Sequence, residues 1–241
     1  MRWIDFNLQV ACAPALVYSG VRKVVRDIGW SIPYQELLDF EVDYTDLGYS
    51  EKTKHSLLIR NYWNAEAIQA GVDKLLERPN AEHSSVGIPM SNKDKDSRSQ
   101  GNCMQSMVIT RTRDSCHVDL YYRSTEATRK FAADLVLFSR MLPTVFDQLG
   151  YEPETVNFRF SNAYFSALFT PIICAFAEDQ VSFFRTIQEE DPRFFRTLAQ
   201  ATRRYFQDTH SYTYRARVKM FSYWRENVIE SEELKELLFS V

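Results

Sequence analysis

The residues best suited to chemistry in this chain are Cys103, the Arg123-Ser124 pair and Asp134. Cys103 stands twenty residues before Arg123, and Asp134 follows that arginine by eleven. A cysteine can serve as a covalent nucleophile, dividing one difficult step into easier ones. It acts as a thiolate, and a free thiol has a pKa of about 8.5, so it needs help near neutral pH. A permanently charged guanidinium with several donors gives such help, which makes Arg123 the natural activator. A buried small hydrophobe is the usual fate of a free cysteine. The polar neighbours Gln100, Gly101, Asn102 and Gln105 argue against that fate here.

The elements around these residues should bring them together. Met107-Val108-Ile109 and Val118-Asp119-Leu120-Tyr121-Tyr122 read as two strands, and Thr112-Arg113-Asp114-Ser115 supplies the turn between them. A hairpin folds Cys103, ahead of the first strand, back beside Arg123. A helix is expected from near Thr125 to just before Gly150, with Phe131, Leu135, Phe138, Leu142 and Val145 forming its apolar stripe. Asp134 lies at the border of that stripe, where most aspartates are solvated surface acids. Val156, Phe158 and Phe160 alternate as a half-buried strand does. Asn64 can cap a helix carrying Ile68, Val72, Leu75 and Leu76 that ends by Pro79. From about Tyr164 the chain reads as helices: an apolar one interrupted by Pro171, one near 179–190, one after Asp191-Pro192, and two shorter ones.

Read together, Gly101-Asn102-Cys103-Met104-Gln105, Tyr121-Tyr122-Arg123-Ser124-Thr125-Glu126 and Lys130-Phe131-Ala132-Ala133-Asp134 resemble the catalytic core of the thymidylate synthase and deoxycytidylate hydroxymethylase family. The likeness covers roughly residues 64 to 165. It implies an α/β fold with a thymidylate-synthase-like mixed sheet flanked by helices, a homodimer, and 5,10-methylenetetrahydrofolate as one-carbon donor. The chemistry it implies is substitution at carbon 5 of a pyrimidine, a poor nucleophile while the ring is conjugated. A thiolate adding at carbon 6 makes carbon 5 enamine-like and able to attack the donor. By this resemblance Cys103 is the nucleophile, Arg123 its activator, Ser124 an anion ligand, and Asp134 and Asn162 the base readers, with Ser161 beside them. Thymidylate synthases carry Asn where Asp134 stands, and the hydroxymethylases carry Asp. A carboxyl group suits cytosine, accepting from its amine and, when protonated, donating to N3; hydroxymethylation is therefore favoured over methylation.

Two further residues follow from the same likeness. Glu36, in Gln35-Glu36-Leu37-Leu38-Asp39-Phe40, resembles the family's general-base glutamate. Glu126 matches an acid that contacts the folate ring, although a first-turn acid is also favoured by the helix dipole alone. Elsewhere the chain departs from the family. The stretch matching an Arg-Arg pair that reaches the substrate phosphate across the dimer offers Glu82 and His83. The His-x-Tyr that holds the sugar hydroxyl has become Phe158-Arg159-Phe160, ahead of Ser161 and Asn162. Arg22 and Arg26 are loose candidates for the N-terminal phosphate-binding arginine. These departures keep open a homologue that holds the fold but has shifted its substrate or lost the chemistry.

A chain of 241 residues, 45% hydrophobic and 14% aromatic, suits a single globular domain with a sizeable core. Its net charge of −3 argues against extensive nucleic-acid binding. No apolar run approaches the roughly 18 residues that span a membrane, and the start Met1-Arg2-Trp3-Ile4-Asp5 lacks the apolar core of a secretion signal. Cys12, Cys103, Cys116 and Cys174 lack metal-ligand spacing, so reduced thiols in a cytoplasmic protein are expected. Lys93-Asp94-Lys95-Asp96-Ser97-Arg98 reads as a solvated loop. Arg203, Arg204, Arg215, Arg217, Lys219 and Arg225 make a basic C-terminal third, read as salt-bridged helix surface or as a replacement anion site.

Overall fold

The two strands expected around Met107 and Val118 are neighbouring inner strands of a six-stranded sheet. A computed structural model describes residues 2–43, 47, 64–77, 83–90, 103–207 and 231–239. In chain order these form α1 (Arg2–Cys12), β1 (Val17–Ser19), β2 (Arg22–Pro33), α2 (Tyr34–Leu38), α3 (Ala65–Leu76), β3 (His83–Pro89), β4 (Met104–Thr112) and β5 (Cys116–Glu126). Then come α4 (Lys130–Leu149), β6 (Thr155–Ser166), a short 3-10 turn (Ala167–Phe169), α5 (Thr170–Phe176), α6 (Gln180–Glu190), α7 (Pro192–Gln207) and α8 (Glu232–Phe239). The strand order is β1-β2-β6-β5-β4-β3. Every neighbouring pair is antiparallel except β5 with β6. That parallel pair requires a long crossover, and α4 supplies it. The architecture is mixed α and β, as expected.

Apolar residues run in rows across the strands. Val86, Ile109, Val118, Val156 and Ile32 make one row, and Ile88, Met107, Leu120, Phe158 and Trp30 the next. This pattern fixes the register, because a one-residue slip would turn every side chain to the other face. Helices α1 and α4 cover the rows. Phe6 meets Phe160 with ring centroids 5.4 Å apart, and Phe131 meets Phe158 at 5.0 Å and Phe160 at 5.2 Å. Each such pair adds about 0.5–1.5 kcal/mol beyond its buried area.

The alternation slips at one level of the sheet. On β5 the buried residues are Cys116, Val118, Leu120 and Tyr122, then Thr125 and Glu126; on β6 they are Val156, Phe158 and Phe160, then Ala163, Phe165 and Ser166. On β2, Ile32 and Ile28 give way to Val25 and Lys23. Three consecutive non-buried pairs mark the break: Arg123-Ser124, Ser161-Asn162 and Arg26-Asp27. Asp27 takes a left-handed φ of 49°, and the β4–β5 register shifts between Met104 and Ser106. Such bulges re-aim side chains and often border functional sites.

Several boundaries differ from the sequence expectation. The long helix starts at Lys130 rather than near Thr125, because β5 stays paired with β6 as far as Glu126 and Tyr164. Its end is as read: Gly150 adopts φ 71°, and its N–H reaches Phe146 O at 2.9 Å. Strand β6 runs to Ser166, past Tyr164 where helices were expected to begin. Pro171 opens α5 instead of interrupting it, since a first-turn proline gives up no helical hydrogen bond. The Asn64 cap is present, its side chain accepting from Ala67 N at 3.2 Å.

A buried ion pair locks the C-terminal helices to the sheet. Lys23, fully buried on β2, places Nζ 2.6 Å from Asp191 Oδ2 and donates to Ala11 O. Asp191 also accepts from Tyr18 OH at 2.7 Å and caps α7 through Phe194 N. Burial pushes the Asp191 carboxyl up, but the bonds from Lys23, Tyr18 and Phe194 and the Lys23 charge outweigh it and hold the group below its ordinary value.

Candidate functional site

The slipped level of the sheet brings together Cys103, Arg123 and Ser124, three of the four residues singled out by their spacing. Cys103 enters β4 half-buried, and its carbonyl accepts from Arg123 N at 2.7 Å. Ser124 Oγ stands 4.0 Å from Cys103 Sγ. Ser124 is paired with Asn162 on β6, and Asn162 with Arg26 on β2. One step along, Tyr164 is half-buried with the Arg22 guanidinium over its ring, 5.3 Å from the centroid. Burial raises the Tyr164 phenol, and the Glu126 carboxylate adds to this; Arg22 opposes, and a Cys103 thiolate raises it further. A thiol, a hydroxyl, an amide, a phenol and two guanidinium groups therefore lie toward one end of the four inner strands. A nucleophile beside hydrogen-bond donors and cations is equipped to attack an electron-poor carbon on an anionic ligand.

Arg22 and Arg26 were only loosely singled out by sequence. A readable signal existed: in each of three strands a polar doublet interrupts the alternation of apolar residues, and Arg26-Asp27 is one of them. Arg123 is exposed, and its described contact with Cys103 runs through the main chain.

The other expected site residues are distributed differently. Ser161 is exposed and lines a cleft with Gln105, Tyr121 and Arg159 rather than touching Cys103. Asp134 is 3% exposed on α4, and no hydrogen bond links it to Cys103, Ser124 or Asn162. Burial pushes its carboxyl up to about 8, opposed by the Lys130 charge. It stands between Phe131 and Phe138 on its helix, whose rings pack on Phe158. Glu36 is exposed on α2, near the opposite end of α4, where Tyr34 meets Phe146 at 5.8 Å. Twelve helical residues from Asp134 to Phe146 span about 18 Å, so Glu36 is remote from the cysteine.

Glu126 does not serve as a free ligand. It is buried, and its carboxylate accepts from Thr128 N at 2.8 Å, Arg129 N at 2.9 Å and Lys130 N at 3.3 Å. Burial raises its pKa and those three amides pull it down. It closes the exposed amides at the start of α4, the helix-dipole role. Buried beneath those amides, its carboxylate is not accessible to a folate ring, so this residue does not fit the cofactor that the resemblance implies.

Phe158 and Phe160 are buried and stack on each other at 6.3 Å, turned into the aromatic core. His83 begins β3 opposite Thr112, at the far end of β4 from Cys103. Gly101, Asn102, Glu82, the loop at Lys93–Arg98, Arg215, Arg217, Lys219 and Arg225 lie outside the described residues. Arg203 donates to Phe239 O, joining α7 to α8, so this member of the basic group has a structural contact. All four cysteines are free. Among the described residues no group of His, Cys, Asp or Glu could hold a metal ion, and no helix is long and apolar enough to cross a membrane. No protein-family model matches this chain, and no curated protein matches it.

Proposed function

We propose that this protein activates carbon 5 of a pyrimidine for one-carbon transfer by adding the Cys103 thiolate to carbon 6. The observation that carries the proposal is the meeting of Cys103, Ser124 and Asn162 at one level of the sheet. Their spacing resembles that of the thymidylate synthases and deoxycytidylate hydroxymethylases. Cys103 forms the covalent adduct, Ser124 donates to the sulfur or to an anionic substituent, and Asn162 contacts the ring. Arg26, paired with Asn162, and Arg22, over the Tyr164 ring, are cations of this row that can meet a negative group, beside Arg123. A cytosine-type ring and hydroxymethylation rest on the resemblance at Asp134, whose carboxyl, pushed up to about 8 by burial, can donate a hydrogen bond at neutral pH.

Methylenetetrahydrofolate remains the donor implied by resemblance. Because Glu126 is occupied, no step is assigned through that cofactor. A homodimer belongs to the same proposal. His83 lies too far from Cys103 within one chain, so its stretch would serve the site of a second copy.

A second reading is favoured by one observation. Phe158 and Phe160 fill the core where the family presents polar groups to the sugar. This suits a substrate-shifted or non-catalytic homologue that binds a pyrimidine compound without a standard nucleoside monophosphate. A thermal-shift screen of cytosine and uracil bases, nucleosides and monophosphates tests both readings, because a bound ligand raises the melting temperature. Stabilisation by a cytosine compound that also protects Cys103 from alkylation supports the first. Stabilisation without protection supports the second, and no stabilisation by any of them contradicts both.

A further inference from the structure

We infer that the cleft on the sheet face away from α1 and α4 binds a small zwitterion of the α-amino-acid type. The cleft measures about 310 Å³ and does not include Cys103, Ser124 or Asn162 in its wall. That volume lies at the low end of ligand sites, roughly 300–1,000 Å³, too small to enclose a nucleotide.

Its wall presents two opposite charges that do not meet. Asp27 carries its carboxylate at one side and has no ion pair or hydrogen bond among the described residues. Arg159 faces it from β6. Its Nε lies 3.5 Å from Asp119, which leaves both outer guanidinium nitrogens for a ligand. Asp27 sits on β2 between Arg26, paired with Asn162, and Ile28, paired with Phe160, and Arg159 is opposite Gly29, two residues further along. Such diagonal positions are about 7–8 Å apart. Both side chains line the same small cleft, so a ligand whose ammonium and carboxylate are joined through a single carbon can address the two together. A lone anion or a lone cation would satisfy only one of the two groups.

Two more features shape the site. Asp27 holds its left-handed φ of 49°, which costs energy for a residue with a side chain and persists where the surrounding structure enforces it. At Gly29 a Cβ would stand 3.4 Å from Phe158 O and 3.7 Å from Arg159 Nη1, ordinary contact distances, which shows that the guanidinium lies over Gly29 along the cleft. Tyr121, 42% exposed, offers an aromatic wall to the ligand's side chain, and Ser161 adds a hydroxyl.

The test is calorimetric titration of the full chain with each standard L-amino acid, followed by the amine-only and acid-only analogues of the tightest one. The amino acid should bind saturably, and each analogue should bind about tenfold more weakly or worse, the scale of a lost charge-assisted hydrogen bond. Asp27→Asn should weaken the amino acid by a similar factor and leave the acid-only analogue unchanged; Asn tolerates the same φ, so the fold is kept. Arg159→Gln should weaken the amino acid and spare the amine-only analogue. The inference is overturned if no amino acid binds saturably at millimolar concentration, or if both variants bind as the parent does. It is also overturned if no amino acid binds but the two substitutions change the sedimentation of the protein, since the cleft is then a contact between copies.

Discussion

The same sheet is built on opposite rules above and below the level of Asp27, Arg123 and Ser161. Toward Pro33 and Cys116, the residues facing α1 and α4 are apolar without a break, and Phe6, Trp30, Phe131, Phe158 and Phe160 interlock there. Toward Arg22 and Glu126, three strands slip by one residue together. The polar members Ser124, Asn162 and Arg26 then fall side by side in a row that begins beside Cys103. The first region depends on shape and area. The second depends on a backbone irregularity that turns chemistry-bearing side chains out of the core. The lesson is that stability and the candidate chemistry are separable here, because they rest on different side chains of the same strands.

The largest expected effect breaks the first region alone. Phe158→Ala should cost about 3–5 kcal/mol, the range for removing a buried aromatic ring, whereas Asn162→Ala should cost roughly 1 kcal/mol or less. Urea denaturation of the two variants compares them directly; equal losses would erase the distinction between the regions. Next comes Asp191→Ala, which strands the buried Lys23 charge and should cost about 3 kcal/mol. The same pair sets an acid limit. The Asp191 carboxyl is held below its ordinary value, so its contribution is complete above about pH 4 and is lost as pH falls through the folded-state value. Asp191→Ala should remove that part of the acid dependence.

Asp134 should behave in the opposite sense. Its folded-state pKa is raised to about 8 from 3.8, so the folded state keeps the proton and stability declines as pH rises through that interval. Asp134→Asn should flatten the decline and make the protein more stable than the parent at pH 8. Thermal melts between pH 4 and pH 9 read this, and a variant with unchanged slope would show that Asp134 is solvated. The smallest effect is on thiol chemistry. Iodoacetamide should modify Cys103 faster than the others in folded protein. Cys116 and Cys174 are buried with thiols pushed up to about 12, and burial also raises Cys12. Equal rates at all four would place Cys103 in the inert class.

Much of the central region was legible in the sequence because local rules govern it. The hairpin that returns Arg123 and Ser124 to Cys103 follows from strand composition and the turn at Thr112–Ser115. The Asn64 cap and the Gly150 stop follow from side-chain and backbone chemistry at helix ends. What escaped depends on distant contacts. Helix α1 carries Trp3, Phe6 and Val10 at helical spacing, but its burial needs Phe160 and Phe131 from far along the chain. The late start of α4 reflects parallel pairing of β5 with β6, and the capping role of Glu126 follows from it. Glu36 matched a short string, and tertiary placement set it at the wrong end of α4 for the chemistry imagined. Arg26 joined the site through a bulge shared by three strands, which no single strand pattern announces.

The most direct test of the account is release of tritium from carbon 5 of labelled cytosine compounds, with Cys103→Ala as the control. Exchange at carbon 5 requires thiolate addition at carbon 6 and needs no one-carbon donor, so it isolates the step assigned to Cys103. The account predicts release by the natural protein, faster from cytosine than from uracil compounds, and none from Cys103→Ala. Release that persists in Cys103→Ala, or its absence from every pyrimidine compound that binds, would contradict it.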